Sequence, residues 1–86
     1  MGVQGQLCID VRREPDRVIL ALAGELDMAS VEQLRAAIER ETAGGNAMLV
    51  LDLQRLQFID STGLRAILTT LERCREHGRE IGRAHV

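Results

Sequence analysis

Lysine, tryptophan and tyrosine are absent from the 86 residues, Phe58 is the only aromatic side chain, and Pro15 is the only proline. One aromatic ring cannot make the stacking platform on which single-stranded bases are bound. All 11 Lys or Arg positions are arginine. The chain therefore has no lysine for Schiff-base or general-base chemistry, and its cations favour planar, bidentate contacts. Charge of one sign is also scarce: 13 acidic residues against 11 basic ones give a formal net charge of -2, so the basic field that non-specific nucleic-acid binding needs is missing. Cys8 and Cys74 stand far apart and form no CxxC, and the opening MGVQGQLCID has neither a cationic leader nor a long apolar core. These features predict a soluble cytoplasmic protein with reduced thiols, no membrane association and no direct nucleic-acid contact. Both cysteines read as small, buried or half-buried apolar residues.

Hydrophobic residues make up 45% of the chain and charged ones 28%, enough for one compact domain and too little length for a second large one. Leu7, Ile9 and Val11 alternate with Cys8, Asp10 and Arg12, the period of a strand covered on one face. Pro15 and Asp16 in RREPD turn the chain. Val18 to Ala23 is apolar at every position, which predicts a strand covered on both faces and paired with the first as a hairpin. Ser30 with Gln33 offers a capping box, and Val31, Leu34, Ala37 and Ile38 recur at helical spacing, so a helix is predicted from Val31 to Glu41, closed by Gly44 and Gly45. Ala47 to Leu53 reads as a second buried strand. Leu64, Ile67, Leu68, Leu71 and Cys74 form one apolar stripe of a second helix that stops near Gly78, and Ile81, Ala84 and Val86 suggest a final strand.

The order strand, strand, helix, strand, helix, strand predicts an α/β domain with right-handed crossovers and a parallel central pair behind the hairpin. A chain that stops at Val86 leaves the last strand without a following helix. Part of the sheet is then expected to be uncovered, or covered by a partner.

Enzyme constellations are not found. Ser61 has no adjacent base and no G-x-S-x-G around it; His77, His85 and Cys74 lack paired metal-ligand spacing; Gly44 and Gly45 are not followed by the GKS or GKT of a phosphate loop. No catalytic residue, metal or cofactor is expected. What stands out is Asp60-Ser61-Thr62-Gly63 at the head of the second helix. Any one of the first three would suffice to cap it. A helix amino terminus carries partial positive charge and free amides, so a phosphate on Ser61 would be accommodated there. It would also eject an acidic or closely packed partner while the domain stays folded.

GELD (Gly24 to Asp27) and LVLDLQRLQFIDSTGLRAIL (Leu49 to Leu68), with the interval between them, resemble the STAS domain of bacterial anti-sigma factor antagonists over about Leu7 to Glu76. The resemblance implies a mixed β-sheet flanked by α-helices, the 86 residues forming a single STAS domain with a shortened carboxyl end that lacks the final helix. It implies that Ser61 is the phosphoacceptor of a serine kinase that is itself the anti-sigma factor. Asp60 then orients the acceptor and the turn, Thr62 helps cap the helix, Gly63 lets the kinase approach the backbone, and Asp27 lies on the same partner-binding face. Partner switching follows: the unphosphorylated domain holds the anti-sigma factor, the phosphorylated one lets go, and a separate phosphatase resets Ser61. Two other readings are a STAS-like scaffold or transport accessory that works without phosphorylation, and a small nucleotide-binding regulator at the same helix mouth.

Overall fold

The computed structural model describes residues 6–43, 48–76 and 81–85. The strands are β1 (Leu7–Glu14), β2 (Arg17–Leu26), β3 (Met48–Ile59) and β4 (Ile81–His85), and the helices are α1 (Val31–Thr42) and α2 (Ser61–Glu76). They form one four-stranded sheet in the order β1-β2-β3-β4. β1 and β2 are antiparallel, whereas β2 with β3 and β3 with β4 are parallel. The mixed α/β architecture and the element order match the expectation from the sequence. The closing glycines Gly44, Gly45 and Gly78, and also His77 and Val86, lie outside the described residues, as does the side chain of His85.

Pro15 and Asp16 form the connection between Glu14 and Arg17, the last pair of the hairpin register. The Met48 amide then donates to the Asp16 carbonyl (3.1 Å), which seats the start of β3 against the hairpin tip. β2 alternates between buried and half-buried positions: Val18, Leu20, Leu22 and Leu26 are buried, while Ile19, Ala21 and Ala23 are half-buried. The expectation of a strand covered on both faces is therefore corrected. Leu34 and Ala37 of α1 and Ile67 of α2 join the same apolar cluster as Leu20, Leu22, Leu49 and Leu51, so both crossover helices lie on one side of the sheet. On the other side Cys8 is exposed, a second correction, opposite half-buried Ala23.

β3 also departs from the expectation. It continues past Leu53, the expected end of the strand, to Ile59, because its pairing with β2 runs on to Leu26 and Ile59 through two register shifts. One shift falls at Gly24, whose φ of 97° is open to glycine and whose missing Cβ would sit 2.4 Å from the Gln6 carbonyl oxygen. The extra residue at this shift is Gln57, so the bulge lies on β3 opposite Gly24 and Glu25. Among the described residues no helix is long and apolar enough to cross a membrane.

Candidate functional site

GELD ends β2 with Leu26 fully buried and turns at Asp27. The Asp27 Oδ1 accepts the amides of Ala29 (3.0 Å) and Ser30 (3.2 Å), and its carbonyl accepts that of Val31 (2.9 Å). Asp27 thus satisfies amides at the entrance to α1, as a capping carboxylate does. The capping box expected of Ser30 and Gln33 does not form. Ser30 Oγ instead donates to the Glu25 carbonyl (2.9 Å) and accepts from the Asp27 amide (3.0 Å), with the residue 4% exposed. The Gln33 side chain donates to the Leu7 carbonyl (2.8 Å), tying α1 to β1.

The second turn meets the first. The Asp60 amide donates to the Leu26 carbonyl (3.1 Å), so β3 is still docked on β2 where α2 begins. The Asp60 Oδ1 accepts the Gly63 amide (2.9 Å), and its Oδ2 accepts the Met28 amide (3.2 Å) from the other turn. A single carboxylate therefore caps α2 and holds the two loops together. Of the three capping candidates the structure selects Asp60; no hydrogen bond from the half-buried Thr62 side chain is made among the described residues, which corrects its capping role.

Gly63 is buried, and a Cβ there would lie 2.7 Å from both the Leu26 Cγ and the Leu26 carbonyl oxygen. Glycine is needed so that α2 can start hard against the end of β2. That inward contact is a packing reason for glycine at this position. Ser61 is exposed, and its hydroxyl makes no hydrogen bond among the described residues. It occupies the first helical position of a 16-residue helix whose first turn holds no acidic residue. Apart from the capping Asp60 carboxylate, no acidic side chain stands at that end of α2, so the partial positive charge of the helix end bears on Ser61. Both Asp60 oxygens are engaged by backbone amides, and among the described residues no side-chain base bonds the hydroxyl.

Sequence periodicity misjudged the orientation of α2. Gly63, Ala66, Ile67 and Cys74 face the sheet, with Thr70 half-buried among them. Leu64, Leu68 and Leu71 are exposed, at three, seven and ten residues from Ser61, and so run along the Ser61 side of the helix for about 15 Å. Met28 is 74% exposed at the tip of the other turn. Sequence reasoning did not pick out Met28, and it placed the outward leucines on the buried stripe. The available signal was the small size of Gly63, Ala66 and Cys74, which marks the side of close approach.

Against known proteins, the family model described as "Mlab, STAS domain" matches residues 9–86. BtrV of Bordetella bronchiseptica, named as an anti-sigma factor antagonist, is 37% identical over 59 residues, 69% of this chain and 51% of that protein. RsfB of Mycobacterium tuberculosis, an anti-sigma-F factor antagonist, is 27% identical over 73 residues, 85% of this chain and 60% of that protein. The chain thus spans between half and three fifths of the length of these curated relatives. The crystal structure of an anti-sigma factor antagonist from Mycobacterium paratuberculosis superposes with a TM-score of 0.79 at 26% identity, covering 98% of this chain and 72% of that one. The Bacillus protein SpoIIAA superposes with a TM-score of 0.69 in its unphosphorylated form (28% identity, 90% of this chain and 69% of that one). Its phosphorylated form gives the same score (27% identity, 92% and 70%).

Proposed function

Because the chain belongs to the STAS domain family, among the anti-sigma factor antagonists, we propose that it works by partner switching with Ser61 as its phosphoacceptor. The observation that carries the reading is Ser61 itself: an exposed, unengaged hydroxyl at the first position of α2, next to a capping aspartate whose oxygens are both engaged. The unphosphorylated domain binds an anti-sigma factor that is a serine kinase, and thereby frees a sigma factor to direct transcription. The kinase transfers phosphate to Ser61, the complex parts, and a phosphatase removes the phosphate. The cycle belongs to the cytoplasm, and this chain contributes surfaces and an acceptor to it.

Phosphate on Ser61 adds about -1.5 to -2 charges where a partner surface must lie close. The helix end tolerates that charge, so the domain remains folded while the interface does not. SpoIIAA is known in unphosphorylated and phosphorylated forms, which supports a cycle of this kind in the family.

Incubation with ATP and each candidate anti-sigma factor kinase from the same genome tests the reading. Expected are one added phosphate located on Ser61, none on Ser61→Ala, and weaker kinase binding by Ser61→Asp with an unchanged circular dichroism spectrum. No mass gain with any of the kinases, or undiminished labelling of Ser61→Ala, overturns it.

A further inference from the structure

We infer that Met28 is a specificity-determining side chain for the anti-sigma factor and that Asp60 is the positioning residue that holds it beside Ser61; this inference rests on the proposed partner switching. Met28 is the most exposed of the large apolar residues described, at 74%. It sits on a turn that is otherwise fully committed. The Asp27 carboxylate is occupied by the Ala29 and Ser30 amides, and Ser30 is buried beneath the turn. The Met28 backbone is held as well, because its amide donates to Asp60 Oδ2 (3.2 Å).

That contact decides where Met28 projects. Asp60 is bonded directly to Ser61, and its other oxygen fixes the Gly63 amide (2.9 Å), so one carboxylate sets the Met28 turn against the phosphoacceptor. An ordered backbone with an exposed apolar side chain suits an interface anchor, since part of the ordering cost is met before binding. An unbranched thioether adapts to irregular apolar sockets. Leu64, exposed three residues after Ser61 on the same side of α2, widens the apolar rim.

The occupant is the anti-sigma factor, which must offer an apolar socket next to its kinase active site. This chemistry also explains release. A dianion introduced beside an apolar contact meets a large desolvation cost there, so release needs no acidic group on the partner.

The test uses the 86-residue chain and each anti-sigma factor kinase of the same genome, with calorimetric affinity and steady-state phosphorylation of Ser61 as readouts. Met28→Ala is expected to weaken binding by about tenfold and to raise KM by a similar factor with kcat unchanged, while Met28→Leu stays within about threefold of wild type. Asp60→Asn keeps an oxygen for one amide and loses the acceptor for the other. It is expected to weaken binding as well, and adding Met28→Ala to it should then cost little more, because the two residues act through one contact. Affinity and KM of Met28→Ala equal to wild type, or strictly additive losses in the double variant, overturn the inference. If wild type binds and is phosphorylated normally in that case, the partner-switching reading stands and only the role of Met28 falls. If wild type neither binds nor is phosphorylated by any of the kinases, both fall.

Discussion

At the crossing from β2 to α1 the serine lies three residues after the capping aspartate, and at the crossing from β3 to α2 it follows the aspartate directly. Asp27 and Asp60 do the same work, each accepting amides at a helix entrance. Three residues on, however, the chain has completed a turn and Ser30 is carried under it, where its hydroxyl bonds Glu25 and Asp27. One residue on, Ser61 is still at the rim and faces outward. The helices differ accordingly. α1 is fastened to β1 by Gln33 near its start and by Glu41 at its end, whereas α2 is fastened at its cap and carries leucines on its outer side. Similar parts thus give one crossing whose serine is buried in the fold and one whose serine hydroxyl is exposed.

The largest expected effect separates the two sides of α2. Ile67 is 5% exposed and belongs to the central cluster, while its neighbour Leu68 is 51% exposed. Ile67→Ala is expected to cost about 2–5 kcal/mol through lost burial and a residual cavity. Leu68→Ala should stay within about 0.5 kcal/mol, as exposed substitutions do. Urea denaturation of both variants checks the pair. Equal losses would mean that α2 packs through the leucine stripe and that the Ser61 side is not open.

This orientation is also where the sequence was least legible. The periods of two and of 3.6 gave the strands and helices, and the bulky runs gave the buried strands their place, because such patterns report which residues leave water. They do not report how closely two elements approach. Gly63, Ala66 and Cys74 are weak hydrophobes, yet they take the side of α2 nearest the sheet because a larger residue at Gly63 would strike Leu26. The stronger Leu64, Leu68 and Leu71 signal pulled the expected core face around the helix. The motif Asp60-Ser61-Thr62 was legible as a polar helix mouth, but its roles were not, since all three residue types cap helices equally well in sequence. What decides among them is the Met28 amide, 32 residues away, which reaches only Asp60.

The next contrast is between the two serines. Ser30→Ala removes the hydroxyl that bonds the Glu25 carbonyl and the Asp27 amide in a buried turn, and about 1–3 kcal/mol of stability should go with it. Ser61→Ala removes no such bond and is expected to change stability by no more than about 0.5 kcal/mol while abolishing the acceptor. Chemical denaturation at neutral pH compares them directly. A Ser61→Ala loss as large as that of Ser30→Ala would make the second serine a structural group like the first.

The smallest effect concerns the fastening at the end of α1. Arg13 donates Nε to Glu41 Oε1 (2.8 Å) and Nη2 to Oε2 (2.7 Å), and this bidentate hydrogen bonding, with the cationic charge behind it, holds the Glu41 carboxyl below its ordinary value of 4.5. A group whose folded pKa is depressed contributes stability that is fully present above its unfolded pKa and is lost as pH falls through the folded one. The Glu41 carboxylate pushes the Arg13 guanidinium the other way, up from its ordinary value, so its share would be lost only on strong alkalinisation. Wild type should therefore show a falling urea midpoint as pH drops below about 4.5, and Arg13→Gln should flatten that limb without altering phosphorylation of Ser61. The Asp16 carboxyl, lowered by its hydrogen bond from Arg17, contributes equally to both proteins and cancels in the comparison. High salt should shrink the difference, because Arg13 is exposed. An acid limb identical in the two proteins would remove this fastening from the account of α1. A change in Ser61 phosphorylation would show that the crossings are coupled, against the separation of roles drawn from their serines.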